Sequence, residues 1–197
     1  LALVPWLVRS IGWRSVVSFA LVAAAGLLLP VVSYGWEGNL TLLHEWYRTV
    51  TDTTGPNLLA ADNVSFASMW AKWIGPGSLA SNLALGSSVA AVAAGGLVML
   101  RRGQGREPNF LEAAYFCVLI TLLSPQGWDY TLVLGLPGYM CLVDRWRDLG
   151  IGWRAVALTG FFLTSFTIFD LLGRTTYMRL VELSAVSVGA VLIAACL

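Results

Sequence analysis

Residues 110–143 read FLEAAYFCVLITLLSPQGWDYTLVLGLPGYMCLV. Two apolar runs, 110–123 and 131–143, are joined by the short polar link Ser124-Pro125-Gln126-Gly127-Trp128-Asp129-Tyr130. Runs joined this tightly predict a transmembrane hairpin with the link at its tip. At about 1.5 Å of rise per residue each run is roughly 20 Å long, less than a hydrocarbon core of about 30 Å. Either the helices run on past the link, or the tip sits below the membrane surface. A recessed tip must be buried in protein or line a wet cavity, because lipid cannot satisfy its polar groups.

The rest of the chain agrees with a lipid environment. Of its 197 residues 57% are hydrophobic and 12% charged, about half the charge of a soluble domain. Mean hydropathy is +0.74. The net charge of +1 gives no global field for nucleic acid. Cys117, Cys141 and Cys196 lie in apolar runs without CxxC spacing, which speaks against a disulfide framework and against a zinc site. Further apolar runs at 15–33, 79–100, 155–169 and 180–197 complete an expected set of about six spans. The fold class is thus an all-α polytopic membrane protein, read as one membrane domain over 1–197. Pro30 predicts a kink or an exit at the end of the first run. Gly86, Ala90 and Ala94 form a small-residue stripe that predicts close helix packing. Leu1 to Val8 reads as the tail of an earlier span, and the chain as the C-terminal portion of a larger membrane protein.

Arginine sets the orientation. Arg9 and Arg14, then Arg101, Arg102 and Arg106, then Arg145, Arg147 and Arg154 occupy alternate short links. The intervening links carry Arg48 and Lys72, no cation, and Arg174 with Arg179. The denser set is read as cytoplasmic, in a multi-pass plasma membrane protein (a bacterial inner membrane), with the 124–130 link outside.

The polar segment 34–79 is read as an extracytoplasmic loop with two amphipathic helices. In the first, 39–50, Leu40, Leu43, Trp46, Tyr47 and Val50 share a face suited to a membrane interface. Residues 51–57, with Gly55-Pro56, are expected to break it. In the second, 65–74, Phe66, Met69, Trp70 and Trp73 share a face and Lys72 points away; Asp62, Asn63 or Ser65 caps it. Gly75-Pro76-Gly77 stops it.

Among polar candidates Asp129 stands first, as an ionisable group at an intramembrane hairpin tip. The same residue fits a helix N-cap at the mouth of the next run. Trp128 and Tyr130 serve either as interfacial anchors or as ligand contacts. His44, the only histidine, sits beside Glu45 on an amphipathic helix and reads as part of a solvated face, as do Glu37 and Asp52. Asp62-Asn63 starts the tryptophan-rich helix. Asn39-Leu40-Thr41 and Asn63-Val64-Ser65 also match a glycosylation sequon. Glu112 lies one turn inside its run. No glycine-rich phosphate loop, HExxH or nucleophile elbow is present.

Asn63-Val64-Ser65 followed by an aromatic amphipathic helix resembles the Asn-Gln-Ser segment of glycosyltransferase family 87. Ser124-Pro125-Gln126-Gly127-Trp128-Asp129, with Leu132-Val133 and Pro137 behind it, resembles that family's Ser-Pro-x-Ser-Trp segment. Val64 replaces the usual Gln, and Tyr130 and Thr131 stand where the family usually has one or two histidines. The resemblance implies a GT-C type helical bundle and inverting, metal-independent hexosyl transfer, typically mannosyl. The donor would be a polyprenyl-phosphate sugar and the acceptor a lipid or glycan, with no separate cofactor and no metal. It implies substrate-binding roles for Asn63, Ser65, Trp128, Asp129 and Tyr130, and a catalytic base in a first extracytoplasmic loop upstream of these residues, so that this portion alone is inactive. The donor's lipid tail would run between spans. Two other classes fit the hydropathy: a transporter or flippase, expected to show mid-span charges or broken helices in two related halves, and a surface-glycan polymerase or ligase subunit.

Overall fold

The computed structural model describes residues 8, 12–101 and 110–197. The expected tail at 1–7, with Arg9, Arg102 and Arg106, lies outside them. The described chain is all-α, as expected of a polytopic membrane protein. It forms two compact units, Leu1–Pro56 and Asn57–Leu197.

In the first unit, helix α1 (Trp13–Leu28) ends just before Pro30, and α2 (Val31–Asn57) leaves at 88° to it. Proline lacks the N–H that would continue the first helix. Gly35, at φ 69°, adds a break that a side chain would strain. Buried Asn39 donates to Leu27 O at 3.1 Å, covering a carbonyl that the break exposes. The break expected at 51–57 does not occur, and α2 runs to Asn57. Thr51, Thr53 and Thr54 return their hydroxyls to the carbonyls of Tyr47, Thr49 and Val50, and Pro56 falls in the last turn. His44, Glu45, Glu37 and Asp52 are exposed on this helix.

The second unit holds α3 (Phe66–Ile74), α4 (Ser78–Arg101), α5 (Phe110–Leu123), a 3₁₀ helix (Asp129–Gly135), α6 (Leu136–Asp144), α7 (Ile151–Ser165), α8 (Phe169–Glu182) and α9 (Ala185–Cys196). Only α4, with 24 residues, is long and apolar enough by itself to cross a membrane among the described residues. Bent pairs α1–α2 and α7–α8 qualify if each counts as one span. About six spans were the expectation, and local backbone chemistry breaks several of the runs read as spans. The run 131–143 is a 3₁₀ helix followed by α6, whose start carries Pro137. The expected tip loop at 170–179 is instead helical, as α8, which turns 103° from α7 and kinks at Gly173 (φ 68°). The run 180–197 breaks at Ser184, a buried non-glycine residue in the left-handed region (φ 52°, ψ 40°).

Close helix packing also sits elsewhere than expected. A Cβ added to Gly86 would meet nothing within 4 Å. A Cβ on Gly160 of α7 would stand 2.9 Å from Gly189 O of α9, and one on Gly189 would stand 2.9 Å from Gly160 O. These two glycines let the backbones of α7 and α9 approach, as small residues do between membrane helices. Ala90 and Ala94 instead line an apolar cavity of about 680 Å³, together with Phe66 and Met69 of α3, Phe116 of α5 and Val191 of α9. Buried Glu112 lies in its wall.

Candidate substrate-binding site

The two segments singled out by sequence, some sixty residues apart, meet in space. Asn63 and Trp128 face each other across an isolated antiparallel bridge. Val64 N–H donates to Gly127 O at 2.7 Å, and Asp129 N–H donates to Asp62 O at 2.8 Å. Successive residues of a bridged strand point to opposite faces. Asn63 therefore turns inward and is fully buried, while Asp62 and Asp129 fall together on the outer face and are exposed.

Asn63 is the hub of the inner face. Its Nδ2 donates to Asn57 O and to Pro125 O, both at 3.0 Å, and its Oδ1 accepts from Ser65 N–H at 3.1 Å. Its carbonyl accepts from Ser68 Oγ and from Lys72 Nζ, each at 2.8 Å. Ser65 caps α3 by accepting from Ser68 N–H at 3.0 Å. The link's own shape depends on Gly127, where an added Cβ would stand 2.0 Å from Thr121 O. Thr131 donates to Trp128 O and shares a 2.8 Å hydrogen bond with Thr121, so its hydroxyl is turned into the protein.

Of the five residues expected to bind substrate, the structure brings all five to one junction and sets them at different depths. Asn63 and Ser65 are fully buried, with their polar groups committed to the chain's own backbone. Trp128 is half-buried, and Asp129 and Tyr130 are exposed. Asp129 opens the 3₁₀ helix but is not its N-cap; that position belongs to Trp128, and no side chain caps the helix. The aromatic face of α3 is engaged with neighbouring helices. Trp70 Nε1 donates to Ser87 Oγ at 2.9 Å and Trp73 Nε1 to Leu183 O at 3.1 Å.

Two groups at the junction escaped the sequence reading. Tyr177 of α8 lies close enough to both carboxylates to feel them: burial first, then Asp129 and Asp62, push its phenol up. Lys72 is half-buried, within electrostatic reach of Asp62. Burial lowers its ammonium to about 8 from the usual 10.5, with Asp62 pulling the other way. A lone cation on an otherwise apolar, aromatic helix was the available signal for Lys72; for Tyr177 the sequence offers none.

The outer face thus carries two carboxylates, with the Tyr177 phenol near enough to feel them; half-buried Trp128 and exposed Tyr130 flank Asp129 in the chain. Carboxylates accept hydrogen bonds from neighbouring hydroxyls, and aromatic faces cover apolar faces of a ring. Among the described residues no group of three His, Cys, Asp or Glu side chains is placed to hold a metal ion.

The sequence model of glycosyltransferase family 87 matches residues 1–125. Trp128, Asp129 and Tyr130 lie just beyond the matched stretch. No curated protein and no solved structure matches the chain.

Proposed function

Because the chain belongs to glycosyltransferase family 87 and is therefore a membrane glycosyltransferase, we propose that it serves hexosyl transfer, mannosyl in the first instance, from a polyprenyl-phosphate sugar to a lipid or glycan acceptor. The observation that carries this reading is the 63–128 bridge, which sets Asp62 and Asp129 side by side on an open face. In this reading their carboxylates hold sugar hydroxyls. Trp128 and Tyr130 offer ring faces, and Asn63 and Ser65 act by holding the binding residues in place. The apolar cavity under α3 suits the donor's lipid chain, since α3 starts at the junction and walls the cavity with Phe66 and Met69.

Transfer is read as inverting and independent of metal, within a GT-C type bundle. A carboxylate takes the proton of the acceptor hydroxyl, the hydroxyl oxygen attacks the anomeric carbon, and the lipid phosphate leaves with the bonding pair. The resemblance supports placing that base in a first extracytoplasmic loop outside these residues, so activity is expected of the full-length protein rather than of this portion alone. The arginine asymmetry supports an extracytoplasmic junction in a plasma membrane.

Asp129→Asn in the full-length protein tests the reading. The exposed side chain makes the fold indifferent to the change, while transfer from a polyprenyl-phosphate hexose should fall at least about tenfold, a loss of about 1.4 kcal/mol of transition-state stabilisation. Full activity in the variant would remove Asp129 from the site.

A further inference from the structure

The chain contains eleven arginines and a single lysine, Lys72. That lysine is the cation at the junction. Two carboxylates directly opposite each other across a bridge repel and weaken the pairing, yet Asp62 and Asp129 are held so by backbone hydrogen bonds. Lys72 reaches Asp62 from α3. Its Nζ donates at 2.8 Å to the carbonyl of Asn63, next in the chain to Asp62, and its charge interacts with Asp62. It also walls a small pocket of about 260 Å³ shared with Leu59, Ala61, Met178, Val181 and Glu182. The charged groups shown around it are Asp62 on its own loop and Glu182 on α8; Asp129 lies opposite Asp62 beside the bridge, and Tyr177 of α8 feels both carboxylates.

We propose that Lys72 is a positioning residue for transfer: its ammonium, anchored on the Asn63 carbonyl, offsets the Asp62–Asp129 pair and keeps both carboxylates aligned for the sugar. The proposal rests on the glycosyltransferase reading of this face. Lysine's compact charge fits beneath a turn, and burial moves its titration into the working range of pH, whereas guanidinium stays charged throughout. With its proton lost near pH 8, the two carboxylates face each other without compensation.

Two measurements on the full-length protein separate this proposal from the reading beneath it. The first labels Lys72 with a trace amine-reactive reagent across pH and quantifies its peptide by mass spectrometry. We expect a midpoint near 8, lower still in Asp62→Asn, where the carboxylate that favours the charged form is gone. A midpoint unmoved by Asp62→Asn overturns the pairing, whether or not the protein transfers sugar. The second is the pH profile of transfer. Wild-type activity should decline above about pH 8; Lys72→Arg should carry activity to higher pH, and Lys72→Met should be at least about tenfold slower at pH 7 with no such limb. An alkaline limb identical in wild type and Lys72→Arg overturns the proposal while leaving the transferase reading intact. Failure of wild type to transfer any polyprenyl-phosphate hexose overturns that reading, and the transfer role of Lys72 with it.

Discussion

Replacing Asn63 by Ala should damage stability as well as transfer, and the size follows from its hydrogen bonds. The carboxamide makes three: two from Nδ2 to the carbonyls of Asn57 and Pro125, and one to Oδ1 from Ser65 N–H. The losses are not equal. Pro125 is exposed and Asn57 half-buried, so water reaches their carbonyls. Ser65 is fully buried and its N–H would be stranded. Two ordinary bonds at about 1 kcal/mol each, plus a stranded donor at about 1–3 kcal/mol, make a loss of about 3–5 kcal/mol as an upper bound. For a domain of this size that corresponds to a fall in Tm of roughly 6–20 °C. Asn63→Asp sharpens the test. It keeps the shape but turns an acceptor toward two carbonyls and buries a charge, so it should be at least as harmful as Ala at pH 7. Its folded-state pKa would be raised by burial, so the charged form is what costs stability. The penalty shrinks as pH falls through that raised value, where protonation restores a donor. Thermal melts of the detergent-purified protein at pH 7 and pH 5 read both effects. The reasoning fails if Asn63→Ala melts within about 1 °C of wild type, or if it raises only KM; either outcome would make Asn63 a ligand contact instead of a scaffold.

Two other substitutions probe the backbone. Gly127→Ala drives a Cβ against Thr121 O, which should cost about 2–4 kcal/mol through displacement of the link; normal transfer and melting in the variant would show that the link can shift freely. Ser184→Gly should stabilise by about 1 kcal/mol, since it relieves a left-handed residue at φ 52° and removes a buried hydroxyl with no partner, against a smaller entropy cost; a fall in Tm would mean that the hydroxyl is needed.

Much of the site could be read from local chemistry. Three candidates, Asp62, Asn63 and Ser65, marked the start of α3, of which Ser65 is the cap, and Gly75 marked its end. The long-range part could not. Which face Asn63 presents depends on its register with Trp128, and a slip of one residue would exchange it with Asp62. Nothing near residue 63 encodes that register; it is set by the shape of the link more than sixty positions away. The small-residue stripe misled for a related reason. Gly86, Ala90 and Ala94 permit close approach, but a second helix must arrive to use it, and in this chain the arriving pair is Gly160 and Gly189. The broken run 131–143 shows the limit of hydropathy, which sums composition and is blind to whether hydrogen bonds span three or four residues.

The bridge between residues 63 and 128 also has a bearing on biogenesis. Its two halves leave the ribosome separated by the whole of α4 and α5, so the junction cannot close until both helices have been inserted and have brought the link back to the start of α3. Closing a loop of that length is slow compared with forming any single helix. The site therefore assembles later than α3, α4 or α5 taken singly. Chains stalled or mis-inserted at α4 or α5 would expose an unpaired Asn63 and an uncapped turn, features by which membrane quality control could distinguish them from finished protein.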